Sequence, residues 1–293
     1  MLNVQYRMHP RISSFPRRIF YDGSLLDGPQ VKEPTFGGVL KAMVGTKFPQ
    51  LQPLTVFDLN SAEEREGTSL SNSTEAHLVM HLFKSLDKET NGLTTKSRVA
   101  IITPYSQQAG LLRRIFEEEY GAVYNTMVDI STIDAFQGKE ASIVMLSCVR
   151  GSNKTTGIGF LSDVQRMNVA LTRAKHFLFV VARCRTITVN PYWRDLVKFA
   201  REQKAVLQVV PKSVRRNIQN TTRKNGAGRN KAPSITFPDL RSIISPLPKP
   251  KSAPRAQLKK TNNNGKKRPF STTVARFPQQ NRNQRRNFPP KRR

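Results

Sequence analysis

Apolar residues are patterned in two ways along the first part of the chain. Short, near-continuous runs rich in Val and Ile occur at Leu54–Leu59, Val99–Thr103, Val128–Thr132, 143–148, 177–182 and 206–210. They lack the alternation of a strand with one wet face, so they predict strands of a parallel sheet covered on both sides. Between them the spacing turns helical. Residues 75–86 place Leu78, Val79, Leu82, Phe83 and Leu86 on one stripe, and Ser106–Tyr120 does the same with Leu111, Leu112, Ile115 and Phe116. Residues 163–174 and 192–203 follow the helical pattern too. Strand–helix alternation predicts an α/β domain with one sheet of about six strands.

Ligands of open α/β sheets sit beyond the carboxyl ends of the strands. Polar clusters follow several of the apolar runs: Thr103-Pro104-Tyr105, the stretch from Ser131 to Glu140, and Val149-Arg150. The chemistry is therefore expected at that edge.

Charge divides the chain. Of a net +29, residues 212–293 carry +22, from 23 Lys and Arg against the single acid Asp239. That part is rich in Pro, Asn, Ser and Gly and cannot bury enough apolar surface to offset its ordering entropy. The expected division is a folded domain over 1–210 and a disordered basic tail over 211–293. So positive a tail favours a polyanion, because neutralising phosphates releases counterions; a solvated, nonspecific tail is the plainer reading. Cys148 and Cys184 lie in strand-like runs and read as buried thiols of an intracellular protein. No apolar run approaches the ~18 residues of a membrane span, and no apolar core follows Met1 as in a signal peptide.

Three segments carry unusual chemistry: Gln5-Tyr6-Arg7-Met8-His9-Pro10; Ser131 to Glu140, which reads STIDAFQGKE; and Arg166 to Lys175, which reads RMNVALTRAK. Arg7 and Arg173 offer permanently charged planar forks of the kind that stabilises a phosphoryl group. On residue type alone, surface salt bridges are the favoured explanation of both.

The strings together resemble motifs IV, V and VI of superfamily 1B helicases, most closely the group of senataxin and the nonsense-mediated-decay helicase. Ile12-Ser13-Ser14-Phe15-Pro16, Phe20 to Leu25, Ile102 to Tyr105 and Gly159 to Asp163 extend the resemblance over about residues 1–205, and the last leans towards senataxin. It implies the C-terminal RecA-like domain of a P-loop NTPase that uses ATP and Mg²⁺. It further implies that Gln5 and Tyr6 belong to the nucleotide site, with Tyr6 stacking on the base. Arg7 and Arg173 reach the γ-phosphate as arginine fingers, and Glu140 contacts the ribose. Gln137 and Gly138 shape the motif V loop, with Gly138 supplying a turn that other residues resist. Thr103 and Thr132 touch the nucleic-acid backbone, a contact that reads no sequence.

Other features weigh less. His77 and His81 have the spacing of a shared metal, but no third ligand stands nearby, so they read as helix-surface residues. His9 reads as a structural part of its motif, and Asp134 as a holder of the motif V loop. In the tail, Lys266-Lys267-Arg268, Lys291-Arg292-Arg293 and Phe-Pro pairs at 237–238, 277–278 and 288–289 suit RNA stacking or an import receptor equally.

No Gly-Lys-Thr or Gly-Lys-Ser loop and no Walker B Asp-Glu pair occurs in the sequence. The resemblance assigns these, and most of the Mg²⁺ ligands, to an N-terminal RecA-like domain, so the sequence is expected to be a fragment or truncated gene model, inactive alone. Two functions stay open. One is the C-terminal half of an ATP-dependent 5′-to-3′ helicase acting on single-stranded RNA or DNA or on RNA–DNA hybrids, in the nucleus and also the cytoplasm, with no membrane. The other is a non-catalytic basic RNA-binding or adaptor protein.

Overall fold

Along each apolar run alternate side chains turn to opposite faces, and each face meets its own layer of helices. The computed structural model describes residues 3–92, 98–151, 157–213 and 235–242, all within one compact unit, Met1–Pro248. The chain enters through β1 (Val4–Gln5), α1 (Pro10–Phe20), β2 (Leu26–Asp27), α2 (Pro29–Lys32) and α3 (Gly38–Lys47). Next come β3 (Leu54–Leu59), a hairpin of β4 (Glu64–Glu66) and β5 (Ser69–Ser71), α4 (Ser73–Glu89), β6 (Val99–Thr103) and α5 (Ser106–Tyr120). The rest is α6 (Tyr124–Met127), β7 (Val128–Thr132), β8 (Ala141–Ser147), α7 (Val164–Leu171), β9 (Ala174–Ala182), α8 (Cys184–Ile187), α9 (Pro191–Glu202), β10 (Val206–Val209), β11 (Lys212–Ser213) and β12 (Ile235–Thr236).

Six of these strands form one wholly parallel sheet in the order β10-β3-β9-β8-β6-β7, the expected α/β class. Ala100 and Ile102 of β6 join a core under α1, α7 and α9, centred on Phe15, Leu171 and Trp193. Val99 and Ile101 join the opposite core, under α3, α4 and α5, with Phe83 and Phe116. Burial on both faces is why these runs lack alternation.

The helices start where local chemistry can satisfy their first N–H groups. The Asn72 side chain accepts from Glu75 N at the start of α4 (3.0 Å), Asp163 from Gln165 N and Arg166 N at α7, and Asn190 from Tyr192 N at α9. The expected helix over 163–174 is shorter because Asp163 is its cap and 174 already belongs to β9. The early helix α1 carries Pro10 in its first turn, where no N–H is needed, and tolerates a buried Pro16 further on.

The expected boundary at residue 210 falls short. β11 pairs antiparallel with β12, which brings residues 235–242 back onto the domain. Leu240 is fully buried, Phe237 packs against His81, and Arg241 pairs with Glu89. The Phe-Pro step at 237–238 is thus a core contact rather than a free stacking surface. The tail's average composition concealed this short apolar patch, Ile235, Phe237 and Leu240. Residues 214–234 and 243–293, with the rest of the expected tail and its basic runs, lie outside the described residues.

Candidate functional site

The turn between β1 and α1 is built by one side chain. Gln5 Oε1 accepts from Arg7 N (2.9 Å) and Met8 N (2.7 Å), while its Nε2 donates to Met8 O (2.9 Å) and Asp27 Oδ1 (2.7 Å). Asp27 also accepts from Ser13 Oγ and from Arg17. Burial pushes its carboxyl up, but the hydrogen bonds from Ser13, Gln5 and Arg17 outweigh that and hold it below the usual range. His9 closes the turn: its Nδ1 accepts from Arg11 N (3.1 Å). Burial first, then Lys41 and Arg11, lower its pKa to about 4, so the ring stays neutral and Nδ1 keeps its lone pair. His9 is structural, as its place in the motif suggested.

This turn projects Tyr6 and Arg7 into a cleft of about 480 Å³, shared with Tyr21, Phe36, Glu140, Arg173 and Lys175. Glu140 lies just before β8; its Oε2 accepts from Arg7 Nε (2.6 Å), and its Oε1 lies 2.6 Å from Lys175 Nζ. These bonds, Lys175 first and Arg7 next, pull its pKa down to about 2, so it is ionised. Arg7 also donates to Thr172 O (3.1 Å). Arg173 donates to Val169 O (2.9 Å) and Thr172 Oγ1 (3.0 Å) and has no carboxylate partner among the described residues. Burial, and then the charge of Arg7, hold its guanidinium below the usual arginine range. The salt-bridge reading therefore fits Arg7 and fails for Arg173: a positive charge is kept next to another with no anion of its own. The Tyr6 ring, 58% exposed, forms the open wall.

Two expectations need correction. The first is the edge. Glu140 and Arg173 immediately precede β8 and β9, and Ala141 pairs with Ala174, so the cleft opens at the amino ends of these strands. The motif V loop leaves the carboxyl end of β7 and crosses back before Glu140. The second is Thr103, which is fully buried, with its hydroxyl 3.5 Å from Tyr105 N. Packing inside the sheet leaves it no surface for a nucleic-acid strand. Thr132 is half-buried and accepts from Ala135 N (3.3 Å), capping the loop.

In that loop Gly138 has φ +82°, the left-handed turn expected of it, one residue after the exposed Gln137. Asp134 accepts from Arg166 Nε (3.0 Å) and Nη2 (3.1 Å), tying motif V to motif VI. His77 bonds the Ser73 carbonyl and His81 lies on Phe237. Among the described residues no three His, Cys, Asp or Glu could hold a metal ion, and Cys148 and Cys184 are buried free thiols.

Residue reading alone missed Gly28, Asp27, Lys175 and Phe36. A Cβ on Gly28 would overlap Cδ1 and Cε1 of Tyr6, so a missing side chain lets the ring lie flat. The glycine stands alone in sequence; only its parallel pairing beyond β2 brings it beside β1.

Known proteins resemble this chain over most of the described residues. Residues 1–185 match the family model AAA_12, an AAA domain. The chain is 37% identical over 210 residues to Helicase SEN1 of Saccharomyces cerevisiae, covering 69% of this chain and 9% of that protein. It is 34% identical over 213 residues to the regulator of nonsense transcripts 1 homolog of Drosophila melanogaster (71% and 17%) and 33% identical over 215 to senataxin of Homo sapiens (73% and 8%). It thus spans a minor part of each of these relatives. The chain belongs to the AAA_12 family, the C-terminal helicase domain of the superfamily 1 senataxin and nonsense-transcript-regulator group.

Proposed function

We propose that this domain is the arginine-donating half of an ATP-dependent nucleic-acid helicase. The observation that carries the reading is Arg173, a guanidinium held in place by three protein oxygens, at Val169, Thr172 and Lys139, yet without a carboxylate, beside Arg7 in a cleft walled by an exposed Tyr6. Such a pair costs stability unless an anion arrives, and a triphosphate suits it. Tyr6 takes the base on its open face and Glu140 accepts from the ribose hydroxyls. Arg7 and Arg173 neutralise charge on the terminal phosphate. ATP fits the cleft. Mg²⁺ does not fit it, because the one carboxylate there already has a cation on each oxygen, Arg7 and Lys175, which leaves no net negative charge for a metal ion. Its ligands, and the loop that cradles the phosphates, belong to a partner RecA-like domain, so this half alone binds nucleotide weakly and does not hydrolyse it. Thr132, at the end of β7 where the motif V segment begins, is the contact to the nucleic-acid backbone. The substrates are single-stranded RNA or DNA and RNA–DNA hybrids, and the basic tail favours nuclear residence.

Calorimetric titration with ATP, adenosine and pyrophosphate tests the reading. Arg173→Ala should weaken ATP and pyrophosphate by about 10- to 100-fold, the worth of a charge-assisted hydrogen bond, and leave adenosine unchanged. Tyr6→Ala should weaken adenosine and leave pyrophosphate unchanged. Absence of any nucleotide binding would instead favour the adaptor reading.

A further inference from the structure

One wall of the nucleotide cleft has no task in the function above. Tyr21 lines the cleft beside Arg7 and Arg173 and is 36% exposed. It closes α1 as its C-cap residue. The chain then reverses through Asp22 and Gly23, both in the left-handed region at φ +47° and +77°. Aspartate is among the few side chains that visit this region. The reversal is anchored on Tyr21 itself: its carbonyl accepts from Ser24 N (2.8 Å) and Ser24 Oγ (2.6 Å), while Gly23 N donates to Arg17 O (2.9 Å). The phenol is thus set at the rim of the cleft by a fixed helix end.

Its hydroxyl meets motif VI. Asn168, half-buried in α7, donates from Nδ2 to Tyr21 Oη (3.2 Å). Asparagine is a poor residue for a helix interior, because its amide competes for backbone partners. Here it costs more, since Asn168 Oδ1 is buried with no partner among the described residues. Turning the amide over would replace a buried bare carbonyl by a buried bare N–H group, the rarer defect. Nδ2 is therefore the end that faces the phenol. The phenol oxygen accepts, and its own hydrogen stays free to donate, with no acceptor among the described residues. A polar group buried at such a cost calls for an explanation.

The same asparagine frames both arginines. Its carbonyl accepts from Thr172 N (3.1 Å) and Thr172 Oγ1 (2.8 Å). Thr172 Oγ1 in turn accepts from Arg173 Nη2 (3.0 Å), and Thr172 O from Arg7 Nη1 (3.1 Å). Asn168 thus places the phenol through its side chain and the two guanidinium groups through its backbone and Thr172. Against burial and Arg7, which hold Arg173 below the usual arginine range, Tyr21 and Glu140 act in the other direction, so the phenol stands within electrostatic reach of Arg173. A hydroxyl with an uncommitted hydrogen therefore lies beside the one cleft arginine that has no carboxylate.

We propose that the Tyr21 hydroxyl is a third donor to the terminal phosphate of the nucleoside triphosphate, beside Arg7 and Arg173, and that Asn168 is the positioning residue that turns it to this task. A phenol donates one hydrogen bond and brings no charge, so it adds a contact without adding repulsion between cations. This role rests on the nucleotide reading above and deepens it.

The test is calorimetric titration of the full chain with pyrophosphate and, separately, with adenosine. Arg173→Ala marks how much of the pyrophosphate binding belongs to the cleft rather than to the basic tail. Tyr21→Phe removes the hydroxyl alone. It should weaken pyrophosphate about tenfold, the low end for a hydrogen bond to a charged acceptor, and leave adenosine and the urea unfolding midpoint unchanged. Asn168→Ala should weaken pyrophosphate as well, and the double variant should be no weaker than Tyr21→Phe, because two residues acting through one bond are not additive. Unchanged pyrophosphate affinity in Tyr21→Phe would overturn the role of Tyr21. So would an equal loss of adenosine, which carries the ribose and no phosphate. Losses that add in the double variant would overturn the role of Asn168. Each of these outcomes leaves the nucleotide reading standing. A native chain that binds pyrophosphate no better than Arg173→Ala would overturn that reading and the role of Tyr21 together.

Discussion

Replacing Glu75 by glutamine isolates the cost of keeping an acid inside the sheet's carboxyl edge. Glu75 is fully buried in the first turn of α4; its Oε2 accepts from Ser147 Oγ (2.7 Å) and Val149 N (2.8 Å), and Oε1 has no partner. Burial is the main cause that pushes its pKa from 4.5 up to about 8, and the charge of Glu63 adds to it. The folded protein therefore keeps the proton through neutral pH, whereas the unfolded chain has lost it. A raised folded-state pKa gives stability that is fully present below the unfolded value and is lost as pH rises through the folded one. Between about pH 5 and pH 8 this group should lower unfolding free energy by about 1.4 kcal/mol per pH unit. Glu75→Gln cannot titrate and removes that slope. It should cost about 1–3 kcal/mol at pH 5, because the new amide N–H groups meet no acceptor at the Oε1 position, and that deficit should shrink as pH rises. The depressed histidines His9, His81 and His176 bend both curves the other way, and equally, so the difference belongs to Glu75. Urea unfolding at intervals across this range measures it. Parallel curves for the two proteins would refute the reasoning.

Other consequences follow at the cleft and at residues 235–242. Glu140→Gln removes the anion shared by Lys175 and Arg7; pyrophosphate should bind several-fold tighter in calorimetry, on the order of 1 kcal/mol for one charge near water. Unchanged or weaker binding would count against the cleft as an anion site. The depressed Glu140 pKa adds stability above its ordinary 4.5 that fades as pH falls towards 2, but with the carboxylate 38% exposed this amounts to no more than about 1 kcal/mol. Gly28→Val should displace the Tyr6 ring, weakening adenosine while sparing pyrophosphate; equal loss of both would mean the turn itself had collapsed. Leu240→Ala should cost about 2–5 kcal/mol in urea unfolding if residues 235–242 are part of the core, and a change below about 0.5 kcal/mol would show a surface residue.

The sheet was legible in the sequence because its strands are buried on both faces: all six apolar runs became its strands, three with the expected ends and three with ends shifted by one to three residues. The first residues of β9, before Phe177, were hidden by the polar Lys175, which lines the cleft, and His176, which packs against Phe36. α1 was hidden by Pro10 and Pro16. The candidate site was legible only through the resemblance of its strings. Nothing in residue type brings Arg7 to Glu140, and the salt-bridge reading was half right. Gly28 and the Phe237–Leu240 patch were invisible because each depends on a distant partner. Assigning the chemistry to the carboxyl edge failed for the cleft, because the motif V loop and α7 both run back to the other end of the sheet before delivering their charges.

The strand order has a bearing on how the protein is made. In the sheet β3 touches only β9 and β10. Leu54 meets Leu178, so β3 leaves the ribosome roughly 120 residues ahead of its first neighbour, an interval of about 6–25 s at ordinary translation rates. Throughout that time an apolar strand has both hydrogen-bonding edges open. Contacts this distant in sequence also close slowly. Nascent chains of this domain should therefore depend on chaperones until β9 emerges, and translational pausing before residue 174 should raise aggregation more than pausing after 210.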